Sequence, residues 1–272
     1  MNEGTKWTSY GFGLEMGEVL TTEIILILFG VSIFAGVIDT MAGGGGLITI
    51  PALMLSGLSP INALGTNKLQ GCIGTGTATF LLLKKSKIKF RHIRPLVIGA
   101  FVGATIGTVA VHFVSQDYLT LVIPAVLVFI AGYFLLYNPN RSSNPGIKVG
   151  GKKFTYGIIP CIGFYDGMFG PGTGSFFTLA SVMFRKAQLV VATATAKPLN
   201  FSTNLSSLIV FAIYGNVIWH VGLIMMFGQL LGAWVGIHFL YKVKPNKIRI
   251  LVVITCLVML VKYLESTEWI QL

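Results

Sequence analysis

Four charged residues stand inside apolar sequence: Asp39, Lys68, Asp166 and Lys197. An ion at hydrocarbon depth costs from about 3 to more than 10 kcal/mol, so it persists only where it has a partner or a task. Each aspartate is followed by a glycine-rich break. "GVIDTMAGGGG" puts Gly43, Gly44, Gly45 and Gly46 just after Asp39, and "GFYDGMFGPGTG" puts Gly170, Gly172 and Gly174 just after Asp166. A helix that restarts after such a break offers free N–H groups and roughly half a positive charge. Two such helix starts, with Lys68 and Lys197 as cationic donors, suit a small anion. The lysine segments add polar side chains: Asn62, Thr66, Asn67, Gln70, Thr75 and Thr77 in the first, Thr195, Asn200, Ser202, Thr203, Asn204 and Ser206 in the second. The candidate substrate contacts are Lys68, Lys197, Gly43, Gly44, Gly45, Gly46, Gly170, Gly172, Thr66, Asn67, Gln70, Thr195, Asn200 and Asn204. Asp39 and Asp166 either orient the breaks or couple a proton or ion. A competing reading makes Asp39–Lys68 and Asp166–Lys197 buried ion pairs that lock helices together. It accounts for the charges but not for the paired glycine breaks.

These groups need elements to carry them, and the composition says which. The 272 residues are 54% hydrophobic and 11% charged, with mean hydropathy +0.78. Soluble domains carry about 25% charged residues, so lipid is the expected solvent. Apolar runs fall at roughly 20–41, 44–58, 64–83, 95–114, 118–137, 154–169, 171–184, 188–214, 217–241 and 250–264. The second and seventh are short for a full crossing of about 30 Å and follow glycine or proline breaks. The expected fold is an all-α polytopic membrane protein, one transmembrane domain over 1–272, with ten spans or six spans plus two re-entrant hairpins.

Charge sets the sides. Sixteen of the 20 basic residues lie in four loops: Lys84, Lys85, Lys87, Lys89, Arg91 and Arg94; Arg141, Lys148, Lys152 and Lys153; Arg185 and Lys186; Lys242, Lys244, Lys247 and Arg249. No acid lies among them. Glu3, Glu15, Glu18, Glu23, Asp117, Glu265 and Glu268 fall on the opposite side if the runs alternate. The positive-inside rule then makes the basic face cytoplasmic, in a cell inner membrane, with both termini outside. The net charge of +11 reflects topology and membrane lipid rather than nucleic acid.

The chain repeats itself. Asp39, Met41 and Gly43 match Asp166, Met168 and Gly170 at an offset of 127. Ala63, Thr66 and Lys68 match Ala192, Thr195 and Lys197 at 129, as do Gly99, Gly103 and Gly107 against Gly228, Gly232 and Gly236. Two repeats follow, 20–137 and 154–264. Each has an odd number of crossings, so the second is inverted, the plan of many secondary transporters with midplane sites at broken helices. The two Gly-x-x-x-Gly ridges read as close helix packing. Pro171 and Pro198 are expected to break helices.

Other chemistries find no support. No Gly-Lys-Ser/Thr follows the glycines, so the break is not a nucleotide-phosphate loop. His92, His112, His220 and His238 are dispersed, with none at metal-ligand spacing, and no nucleophile–base set converges. No catalytic residue, metal or cofactor is expected, and the chain does not read as an enzyme. Cys72, Cys161 and Cys256 read as small buried hydrophobes. Trp219 and Trp234 read as interface anchors or packing. The first residues are acidic and do not read as a cleaved signal.

At "DTMAGGGGLITIPAL…NALGTNKLQ" and "GFYDGMFGPGTGSFF…ATAKPLN" the chain resembles the TauE/SafE, or toluene sulfonate uptake permease, family over nearly its full length, closest to the YfcA-like branch. That resemblance implies a bacterial inner-membrane carrier of an organosulfur or other organic anion, such as sulfite or a sulfonate. The family's glycine motifs fall on Gly43–Gly46 and Gly170–Gly174, and its lysine motifs on Lys68 and Lys197. The leading expectation is a secondary transporter. The alternatives are an anion channel or uniporter, and a cation or proton pathway lined by Asp39 and Asp166. The partners expected are the anion and membrane lipid, and a homodimer is compatible with this reading.

Overall fold

The computed structural model describes residues 21–84, 90–136, 151–239 and 245–266. Among them the chain forms ten helices and no strand. They are α1 (Thr22–Ala42), α2 (Gly46–Leu55), α3 (Pro60–Lys84), α4 (Phe90–Val111) and α5 (Gln116–Leu136). Next comes α6, built from Gly151–Lys153, a π-helical turn Phe154–Ile158 and Ile159–Met168 without interruption. Then follow α7 (Thr173–Arg185), α8 (Leu189–Ile213), α9 (Trp219–Phe239) and α10 (Pro245–Ser266).

Each helix covers one of the ten apolar runs, because in lipid a run must satisfy its backbone internally. The largest departures are at the starts of α4 and α10, which begin about five residues early and take in basic residues that hydropathy assigns to loops, Arg91 and Arg94 in α4 and Lys247 and Arg249 in α10. Among the described residues four helices are long and apolar enough to cross a membrane: Thr22–Met41, Ile93–Val111, Gln116–Tyr133 and Trp219–Phe239. The helices α3 and α8 are each 25 residues long but polar on one side, since they carry the lysines. By contrast α2, at 10 residues, rises only about 15 Å, half a hydrocarbon thickness. Pro198 does not break its helix: α8 runs through it. Pro171 does sit at a break.

Packing pairs elements from opposite halves of the chain. Helix α1 lies along α9 and α4 along α6, while α3 crosses α8 at the centre. The contacts α3–α9 and α4–α8 complete the reciprocal pattern. Gly-x-x-x-Gly ridges make the two long contacts tight. A Cβ at Gly103 or Gly107 would stand 2.1 Å from the carbonyl of Pro160 or Phe164 on α6. One at Gly232 would stand 2.1 Å from the Ile33 carbonyl on α1. Small residues admit backbone contact where burial of apolar surface gives no drive between helices.

Polarity is inverted relative to a soluble fold. Leu26, Ile27, Ile106, Phe129, Phe227 and Leu231 face outward, while Ser32, Thr66, Thr108, Thr203, Ser206 and Ser207 are buried. The buried hydroxyls stitch helices: Ser206 meets Thr105 at 2.7 Å and Thr108 donates to Ser207 at 2.8 Å, both between α4 and α8. Trp219 and Trp234 are exposed on α9. Lys85, Lys87, Lys89, Arg141, Lys148, Lys242, Lys244, Glu3, Glu15, Glu18 and Glu268, which set the expected charge asymmetry, lie outside the described residues.

Candidate functional site

Both glycine breaks lie at the centre and touch. Helix α1 ends with Gly43 in the left-handed region, at φ 75°, its N–H donating to the Asp39 carbonyl at 2.7 Å. A Cβ there would stand 2.7 Å from the backbone of Gly174 and Ser175 at the start of α7. Only glycine meets both demands. The second break turns on Gly170 and Gly172, also at positive φ, and Tyr165 closes it by donating to the Pro171 carbonyl at 2.6 Å.

Each aspartate bridges its own break. Asp39 Oδ1 accepts from the Gly45 N–H at 3.2 Å, at the start of α2. Asp166 Oδ1 accepts from Thr173 Oγ1 at 2.7 Å, at the start of α7. Asp39 thus caps the positive end of α2 directly, while Asp166 is tied to the start of α7 through the Thr173 hydroxyl.

The lysines cross over. Lys68 Nζ, on α3, donates to the Asp166 carbonyl at 2.5 Å and pairs with Asp166 Oδ1 at 3.1 Å. Lys197 Nζ, on α8, donates to the Asp39 carbonyl. Both lysines are 1% exposed. The same-half ion pairs weighed from sequence, Asp39–Lys68 and Asp166–Lys197, are therefore corrected: each lysine reaches the broken helix of the other half. The reason is electrostatic. The Asp39 and Asp166 carbonyls stand in the last turns of α1 and α6, at the negative end of the helix dipole, where a cation is favoured.

Between the breaks lies a small polar cavity. Its walls are Asp39, Gly43, Gly45, Gly46 and Thr49; Asn67, Gly71 and Thr75 from α3; Asp166 and Gly170; Asn200 and Asn204 from α8; and Gln229 from α9. Asn67, Gly71 and Thr75 follow a spacing of four, one face of α3, and Asn200 and Asn204 do the same on α8. The centre of a water-sized sphere has about 20 Å³ in which to move, so one water-sized body fits as the walls stand.

Spent and free groups can be counted. Asn67 Oδ1 accepts from Thr49 at 2.6 Å and from Gln70 at 3.1 Å, which leaves the Asn67 amide nitrogen unspent. Asn204 donates to the Asn200 carbonyl at 2.8 Å and to its side-chain oxygen at 3.2 Å, leaving the Asn200 nitrogen unspent. That nitrogen lies 3.3 Å from where a Cβ of Gly174 would stand, and the Asn67 nitrogen 3.7 Å from that of Gly46. Each half-helix start therefore meets an asparagine amide from the helix after it.

Several expected residues do other work. Thr66 accepts from the Ile218 N–H at 3.1 Å and ties α3 to the turn before α9. Gln70 braces Asn67. Gly44 is buried in the break, and Gly172 precedes the first residue of α7. Thr195 lies in a separate pocket with Pro95, Phe154, Ser181 and Arg185. Lys68 and Lys197 hold the breaks from behind rather than lining the cavity. Gln229 was missed by sequence reasoning. The signal was available: an amide between Gly228 and Leu230 inside an otherwise apolar run. Among the described residues no three His, Cys, Asp or Glu side chains are grouped to hold a metal ion.

Broken helices around a buried polar centre, inside a shell of lipid-facing apolar helices, define a membrane transporter. The family model for the sulfite exporter TauE/SafE matches residues 28–263, and the chain belongs to that family. It is 40% identical to the probable membrane transporter protein YfcA of Escherichia coli K12, covering 89% of this chain and 90% of that one. It is 39% identical to the probable membrane transporter protein ORF9 of Sinorhizobium, covering 91% and 95%. A probable membrane transporter protein of Haemophilus influenzae is 37% identical, covering 91% and 97%. No solved structure matches the chain.

Proposed function

We propose that the chain is a secondary transporter of a small organosulfur anion, sulfite or a sulfonate, across the bacterial inner membrane, with its basic loops cytoplasmic and both termini outside. One observation carries the reading. The start of α2 and the second break at Gly170 line one cavity, together with Asn67 and Asn200, whose amide nitrogens are unspent. Backbone N–H groups at a helix start are a ready anion site, and neutral amides bind an oxyanion without the desolvation cost of a free cation. The four central charges, Asp39, Lys68, Asp166 and Lys197, cancel one another, so discrimination falls to the amides. The name of the family supports sulfur oxyanions as the cargo.

The halves 20–137 and 154–264 act as inverted repeats in this reading. The reciprocal contacts, α1 with α9 and α4 with α6, support it, as do the crossed lysines. Transport then rocks one half against the other about the touching breaks. The cavity is too small for a sulfur oxyanion as it stands, so binding parts α2 and α7 from the α3–α8 wall.

The test is flux in proteoliposomes across sulfite, sulfate, thiosulfate, sulfoacetate, taurine and a carboxylate control. Saturable, counter-anion-dependent movement of one sulfur anion, lost in Asn67→Ala and Asn200→Ala, is expected. Flux that neither saturates nor responds to these changes refutes the reading.

A further inference from the structure

We propose that the same cavity holds a small alkali cation, sodium in size, between Asp166 and Gln229, and that this ion enters with the anion. The proposal rests on the anion reading of the cavity and adds the ion that balances its charge.

Among the described residues four buried side-chain atoms meet no hydrogen-bond partner: Gln70 Oε1, Thr79 Oγ1, Asp166 Oδ2 and Gln229 Oε1. Asp166 and Gln229 both belong to the cavity wall. Asp166 is 1% exposed and Gln229 3%. The two side chains come from different helices, α6 and α9, and present oxygen. Asp166 Oδ1 is occupied by Lys68 and Thr173, so Oδ2 is the face that remains. Asn204, also in the cavity wall, adds a third oxygen: its nitrogen is spent on Asn200, and its Oδ1 lies 3.1 Å from where a Cβ of Gly71 on α3 would stand.

A buried acceptor without a partner is costly, and a charged one more so. An anion satisfies none of these oxygens. A proton serves one oxygen pair, whereas acceptors from three helices suit a hard cation that takes several oxygen ligands. A bridging water satisfies them but leaves the charge open. With Asp39 and Asp166 balanced by Lys68 and Lys197, a monovalent anion alone makes the buried centre negative. One monovalent cation restores neutrality where the dielectric is low. The space admits one water-sized body, which a bare sodium ion matches, without moving a wall.

The test uses purified full-length protein in detergent, with sulfite as the anion probe. Thermal unfolding and sulfite binding are measured in sodium, potassium and choline chloride at equal ionic strength. Sodium is expected to raise the unfolding temperature saturably over choline and to tighten sulfite binding about tenfold, within the usual range of coupling between sites. Gln229→Leu loses the sodium effect, Gln229→Glu keeps it, and Phe227→Leu, on the exposed side of the same helix, leaves it unchanged. Equal unfolding temperatures and equal sulfite affinity in all three salts overturn the cation site. A pH-dependent, sodium-independent response lost in Asp166→Asn also overturns it, in favour of a proton. Sodium stabilisation without any sulfite binding upholds the cation site while refuting the anion reading.

Discussion

Replacing Lys68 by methionine should cost more stability than replacing Lys197, although both are buried and central. Lys68 pairs with the Asp166 carboxylate at 3.1 Å as well as with its carbonyl. Removing it leaves a buried carboxylate held by Thr173 alone, and breaking a buried pair from one side costs about 3–5 kcal/mol. Lys197 reaches the Asp39 carbonyl, which keeps the Gly43 N–H as a second donor. Losing one donor to a neutral buried acceptor costs about 1–3 kcal/mol. The expected gap is about 2 kcal/mol, more than tenfold in the folded-to-unfolded ratio. Equilibrium unfolding of the two single variants in mixed micelles reads it directly. Lys68→Met with Asp166→Leu should then be milder than either single change, since no charge is stranded. Equal losses, or a greater loss at Lys197, would refute the crossed arrangement, because pairing within each half predicts matched costs.

Gly43→Ala should destabilise by about 1–2 kcal/mol from the left-handed φ alone, with further loss from the Gly174 contact, read by unfolding and by lost flux. Gly232→Ala drives a Cβ against the Ile33 carbonyl and should lower stability, whereas Gly132→Ala meets nothing within 4 Å and should raise it by about 0.5–1 kcal/mol. Asn200→Ala should weaken anion binding by about 1.5–3 kcal/mol, the worth of one hydrogen bond to a charged group, with little change in unfolding. Unchanged affinity would remove Asn200 from the site.

Much of this molecule is legible along the chain. Apolar runs mark all ten helices because lipid offers the backbone no other partner. The glycine breaks are legible because left-handed turns and backbone contact leave few other residues to choose. The ridges at Gly103, Gly107, Gly228 and Gly232 are legible for the same reason. Pro198 misled, since flanking helices in a packed centre hold a helix together through a proline that sequence treats as a stop. Gln229 went unread because its meaning depends on what it faces.

What the sequence determined by itself is the solvent, the helices, the two breaks and the presence of four intramembrane charges, because each follows from local hydropathy and backbone freedom. Only the tertiary structure decided who meets whom. Lys68 and Asp166 are 98 positions apart, and Lys197 and Asp39 158. No local pattern separates a same-half pair from a crossed one, since the residue types are identical. The choice falls to helix ends whose last-turn carbonyls become neighbours of the lysines only when α3 and α8 cross between the two breaks.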